Sequence, residues 1–129
     1  MRFHGNIRFA VEERGASAAE FALVLPLFLL LILGVLHMGF LLYATSCMHS
    51  AVEVAARCAS VRKTTDCTNA ATTQAFAASN YSGPGIGQTF VHTVDANCGN
   101  RVTGTGNYVM TTGIYNPTVA ISATACFPA

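Results

Sequence analysis

Gly15-Ala16-Ser17-Ala18-Ala19-Glu20-Phe21-Ala22-Leu23-Val24-Leu25-Pro26 is the stretch whose reading decides the fold. A glycine, four small residues and one carboxylate lead straight into a run with no Asp, Glu, Lys or Arg from Phe21 to Val52. The most apolar part, residues 21–43, counts 23 residues. At ~1.5 Å each they make roughly 34 Å of helix, enough to cross a hydrocarbon core of about 30 Å. A cleaved secretory signal has a shorter apolar core of about 7–15 residues closed by a small-x-small site, and this run has neither. Ala44-Thr45-Ser46-Cys47 matches a lipoprotein cleavage site only loosely, because Ala44 stands where a larger aliphatic residue is expected. A retained membrane segment is the better reading.

Working outward, the helix is expected to outlast the membrane. Residues 44–62 hold no Pro or Gly, and Met48, Ala51, Val52, Ala55 and Ala59 recur at three- and four-residue spacing. Glu53 and Arg57 form an i,i+4 pair in the favourable order. The expectation is one helix of nearly fifty residues over 16–63, half in lipid and half outside it. Pro26 removes one backbone donor and predicts a kink or local loosening. Gly34 and Gly39 are five apart rather than four, so they read as packing room.

Thr64-Thr65-Asp66 interrupts the pattern, and Asp66 or Thr68 is expected to cap a short helix ending near Asn80, with a small face of alanines. Ser82-Gly83-Pro84-Gly85-Ile86-Gly87 reads as a loop. Beyond it Thr, Val, Asn and Gly dominate, and residues 88–96, 101–112 and 118–126 are predicted strands separated by short turns. Gly104 and Gly106 suggest a bulge or a weakened strand. The fold class is therefore α+β: a long N-terminal hydrophobic helix, a short second helix, and a small antiparallel three-stranded sheet packed on the upper half of the first helix. The 86 residues after position 43 suffice for one small domain.

A formal net charge of +1 and 10% charged residues argue against nucleic acid as a partner. All five cysteines, Cys47, Cys58, Cys67, Cys98 and Cys126, follow the apolar run. Disulfides persist in oxidising compartments, so residues 64–129 are expected outside the cytoplasm. Arginines flank both ends of the span and do not decide its orientation. Cys98 with Cys126 would bracket the last two strands, and Cys58 with Cys67 would tie the first helix to the second. Pairing of Cys58 or Cys67 with the C-terminal two stays open. Cys47 is then the odd thiol, read as a small buried apolar residue rather than an intersubunit bridge.

The quoted stretch, the Leu-rich run after it, and Gly39-Phe40-Leu41-Leu42-Tyr43-Ala44 with Ala55-Ala56-Arg57 resemble TadE-like pilus-assembly proteins. These are minor pilins or pseudopilins of the tight-adherence, Flp-type branch of type IV pili. The resemblance covers roughly residues 14–60. It implies a cytoplasmic leader, residues 1–15, that a prepilin peptidase cuts between Gly15 and Ala16. It implies an inner-membrane protein with a periplasmic C-terminal domain, built into a surface pilus with other subunits, including a sibling minor pilin. Glu20 and Phe21 would serve subunit assembly, with Glu20 fifth in the mature chain. Taken alone, Glu20 reads as a headgroup-level charge flanking an anchor; with Gly15 at the matching offset and Pro26 in place, assembly is the better reading. A carboxylate at the lipid edge is costly unless paired, and both an Ala16 ammonium and the helix dipole favour it there.

Catalysis is not expected. Nothing resembles a nucleophile elbow or phosphate loop, and the cysteines lack the paired spacing of a zinc site, so no cofactor and no metal is implied. His4, His37, His49 and His92 are scattered. His37 lies on the membrane helix, where snorkelling or a hydrogen bond accounts for it. Asn80-Tyr81-Ser82 matches a glycosylation acceptor, a motif too short to weigh. The alternative function is a single-pass envelope-anchored binding or adhesion module, its Thr/Asn-rich sheet exposed, that never enters a filament.

Overall fold

The computed structural model describes residues 7–62, 65–113 and 115–128. Helix α1 runs Ile7–Val61, α2 Ala70–Asn80, and three strands follow: β1 Thr89–Asp95, β2 Gly99–Val109 and β3 Thr118–Phe127. The α+β layout expected from the sequence is the one present. The chain divides into two compact units, residues 1–38 and 39–129.

In the first unit, α1 begins at Ile7, ahead of Gly15, so the Gly15–Ala16 bond lies within a helix. Residues 1–6, with His4 and Gly5, lie outside the described residues. The helix is also uninterrupted at Pro26. Residues 15–36 are exposed throughout.

The second unit is built on the upper part of α1. Ala44, Met48, Ala51, Val52, Ala55, Ala56 and Ala59 are buried. Steps of three and four put them on one face, and alanine keeps that face low enough for close packing. The sheet is a meander of order β1-β2-β3, antiparallel throughout. Its inward row on β2 is Asn100, Val102, Gly104, Gly106 and Tyr108, with Phe90 opposite on β1 and Ile121, Ala123 and Ala125 on β3. The outward row is hydroxyl-rich: Thr89 meets Thr105 at 2.9 Å and Thr103 meets Thr124 at 3.2 Å.

Several local expectations need correction. Gly104 and Gly106 form no bulge, since the register runs unbroken across both. They are points of close approach. A Cβ on Gly104 would stand 2.5 Å from Met48 Sδ and 3.0 Å from Val52 Cγ1, and one on Gly106 would stand 2.7 Å from Ile86. The second helix is capped by Asn69, not Asp66 or Thr68. Asn69 Oδ1 accepts from Thr72 N at 3.0 Å while Thr72 Oγ1 accepts from Asn69 N at 3.0 Å, a reciprocal box. Asp66 instead takes Arg62 in an exposed i,i+4 ion pair at 3.0 Å. Glu53 and Arg57 form no such pair. Strand β2 starts two residues earlier and stops three earlier than its alternation suggests. The Asp95 carboxylate accepts from Asn97 N at 2.9 Å, and Gly99 at φ 85° closes the turn back into the ladder.

Candidate functional site

The predicted site residues lie in the first unit, on α1. A Cβ on Gly15 would meet nothing within 4 Å. Ala16 and Glu20 are exposed and stand i,i+4, so they share one helix face about 5–6 Å apart at Cβ. Phe21, one position on, is 64% exposed. Behind Glu20 the apolar side chains have no cover: Leu23, Leu27, Phe28, Leu30 and Leu31 are each more than half exposed. The helix is long and apolar enough to cross a membrane, and its most apolar part is not buried. Burying one such side chain is worth about 1.5–3 kcal/mol, so a surface of this extent demands lipid or other apolar helices around it.

The disulfide candidates lie in the second unit. Cys58 is joined to Cys67 and Cys98 to Cys126. The first bridge holds the end of α1 to the segment that leads into α2. The second ties the β1–β2 turn to the end of β3, where Arg101 already pairs with Cys126 across the ladder. Cys47 is free and half-buried. Its Cβ faces Gly83, where an added Cβ would stand 3.0 Å away.

Two polar arrangements escaped the sequence reading. The Tyr43 hydroxyl donates to Ser82 O at 3.1 Å and that of Tyr81 to Pro84 O at 2.9 Å, fastening the Gly-rich loop to α1. Burial, reinforced by charge on Cys47 and Tyr43, raises the pKa of Tyr81 above the ordinary tyrosine value of 10.0. At the opposite end, Asn100 is buried. Its Nδ2 donates to Ser60 Oγ at 2.9 Å and its Oδ1 lies 3.2 Å from His92 Nε2. Burying an amide is tolerable only with its partners in place, and the sequence reading had put Asn100 in the turn ahead of the strand, where no inward position is expected.

Among the described residues no three His, Cys, Asp or Glu side chains gather to hold a metal ion. His37 is half-buried and His49 exposed, on separate parts of α1. Open grooves of about 430 and 510 Å³ flank Val54 and Arg57, one toward Phe76 of α2 and the other toward Phe127 of β3.

A family model described as TadE-like protein matches residues 15–57. That segment holds Gly15, Ala16, Glu20, Phe21, the exposed apolar run and most of the buried alanine face. No curated protein and no solved structure matches the chain.

Proposed function

With a TadE-like segment at residues 15–57 as the premise, we propose that this chain is a minor pilin or pseudopilin of a tight-adherence type IV pilus. It supports surface adhesion and biofilm formation and catalyses no reaction. A prepilin peptidase removes residues 1–15, residues 21–43 cross the inner membrane once, and residues 64–129 lie in the periplasm before assembly. Its partners are other pilus subunits, a sibling minor pilin among them.

One observation carries this reading: an uncovered, charge-free apolar helix surface behind a single carboxylate at Glu20. Lipid covers that surface before assembly and neighbouring helices cover it afterwards. Because lipid is as apolar as leucine, exchanging one cover for the other supplies little hydrophobic drive. A polar pair then decides where subunits stop sliding. Cleavage after Gly15 would create an ammonium on Ala16, one turn from Glu20 on the same face. Within a chain that amine eases the cost of a lipid-edge carboxylate. Between chains, Glu20 of one subunit paired with the Ala16 amine of the next fixes axial register. Two disulfides in the second unit agree with an oxidising compartment.

The test is mass spectrometry of the membrane-extracted chain co-expressed with a prepilin peptidase. A new N-terminus at Ala16 is expected, and an intact Met1 end speaks against the reading. The E20A variant should still insert but be missing from sheared pili. Its incorporation at normal levels would favour the envelope-anchored module instead.

A further inference from the structure

Not every side of α1 is covered in the second unit. Val54, Arg57 and Val61 recur at steps of three and four, so they form one stripe on the helix. Val54 is 42% and Val61 70% exposed, and Arg57 is exposed between them. The stripe stands as a ridge between the two open grooves, the one toward α2 walled by Phe76 and the one toward β3 by Phe127. Phe127 is itself 39% exposed. A helix ridge flanked by grooves is the shape that packs against another of its kind, ridge into groove.

Charge differs between the grooves. Arg57 and Arg62 line the one toward α2, with no acid among the described residues. Glu53 lines only the one toward β3. Lys63 lies outside the described residues. Of the other charged side chains in residues 39–129, Arg62 is engaged by Asp66 at 3.0 Å and Arg101 by Asp95 at 2.9 Å. Glu53 and Arg57 are left over. They stand four residues apart, yet among the described residues neither has a hydrogen-bond or ion-pair partner.

We propose that this ridge is the docking surface for a second copy of the chain. The Arg57 side of one copy enters the groove between α1 and β3 of the next, and Arg57 of the first meets Glu53 of the second. A displacement of four residues, about 6 Å along the helix axis, brings the two charges level. Each group then finds the partner it lacks in its own chain, while Val54, Val61 and Phe127 lose their contact with water. The two surfaces joined are unlike, so the contact is heterologous and repeats from copy to copy along a row. Displacements that set arginine against arginine are repelled, which gives the charge pair its part in fixing register. The inference deepens the pilus reading and rests on its premise that copies stand side by side with their helices running the same way.

The test uses two full-length forms co-expressed in one membrane. The first carries p-benzoylphenylalanine in place of Val61, and the second carries an epitope tag. Irradiation should link position 61 of the first to residues 124–127 of the second, mapped by mass spectrometry. R57E in the first form should lower the yield roughly tenfold, a modest share of what like charges in contact cost. E53R in the tagged form should then restore it, a rescue that a Glu53–Arg57 pair within one chain would not give. An adduct with a different protein, no adduct, or R57E without effect would each overturn the inference, as would failure of E53R to rescue. Cleavage is scored on the same sample: a chain cut to Ala16 that gives no adduct removes this inference and leaves the pilus reading standing.

Discussion

Gly104 offers the sharpest test of how sheet and helix meet. Adding one methyl group as Gly104→Ala places a carbon 2.5 Å from Met48 Sδ, 2.9 Å from Phe90 Cε1 and 3.0 Å from Val52 Cγ1. Comfortable carbon contacts lie at about 3.5–4.0 Å, so three neighbours must give way together. Met48 and Val52 are fully buried and Phe90 nearly so, which leaves little slack. Overpacking of this kind costs about 1–3 kcal/mol. The stiffer unfolded chain returns about 0.4–1 kcal/mol. At the midpoints of the two ranges the net loss is about 1.3 kcal/mol, a fall in Tm of roughly 5–10 °C for a unit of this size. The assay is thermal unfolding of the full chain in mild detergent, followed by tyrosine near-UV circular dichroism. Met48→Ala alone should cost about 2–5 kcal/mol through its cavity. In the double variant the new methyl enters the space that Met48 leaves, so the two losses should sum to less than their separate values. A Tm for G104A within about 2 °C of wild type, or strict additivity in the double variant, would refute the packing described for Gly104.

Two further outcomes follow from the bridges and from Tyr81. The bridges close loops of sequence separation 9 and 28. Chain entropy gives about 2.6 and 3.6 kcal/mol respectively, so the C98A/C126A variant should lose about 1 kcal/mol more than C58A/C67A; a reversed order in denaturant midpoints would contradict this. Because the fold raises the pKa of Tyr81, its neutral form is favoured in the folded state. Its stabilising contribution is complete below pH 10.0 and is lost as pH rises from there through the folded value. Ionisation also removes the proton donated to Pro84 O. Tyr81→Phe should therefore flatten the alkaline arm of the stability profile, and an unchanged arm would assign the loss to another group.

Much of this protein is written locally. A charge-free run behind Glu20 needs no partner information to be read as a membrane-length helix, since each residue declares its own solvent preference. The alanine face over residues 44–59 and the alternation in the strands are also local, because backbone periodicity alone decides which side chains share a face. Cysteine proximity in the chain made the Cys58–Cys67 pair the simplest one to propose.

What stayed hidden depends on register between segments far apart. Nothing in Thr103-Gly104-Thr105-Gly106 says that Met48, Val52 and Ile86 will press on it, so glycines that admit a close approach looked like defects in a strand. The cap fell to Asn69 because Asp66 is drawn back to Arg62. Asn100 was read as part of a turn rather than of β2, and its partners were hidden too, because Ser60 lies forty residues away. Residue order alone was enough to establish an apolar helix with one acid at its head and an α+β domain after it. It took packing across the whole fold to set Asn100 of β2 against Ser60 and Gly104 against Met48 and Val52 of the helix. Solvent preference belongs to single residues, whereas alignment is fixed by the best simultaneous packing of every segment.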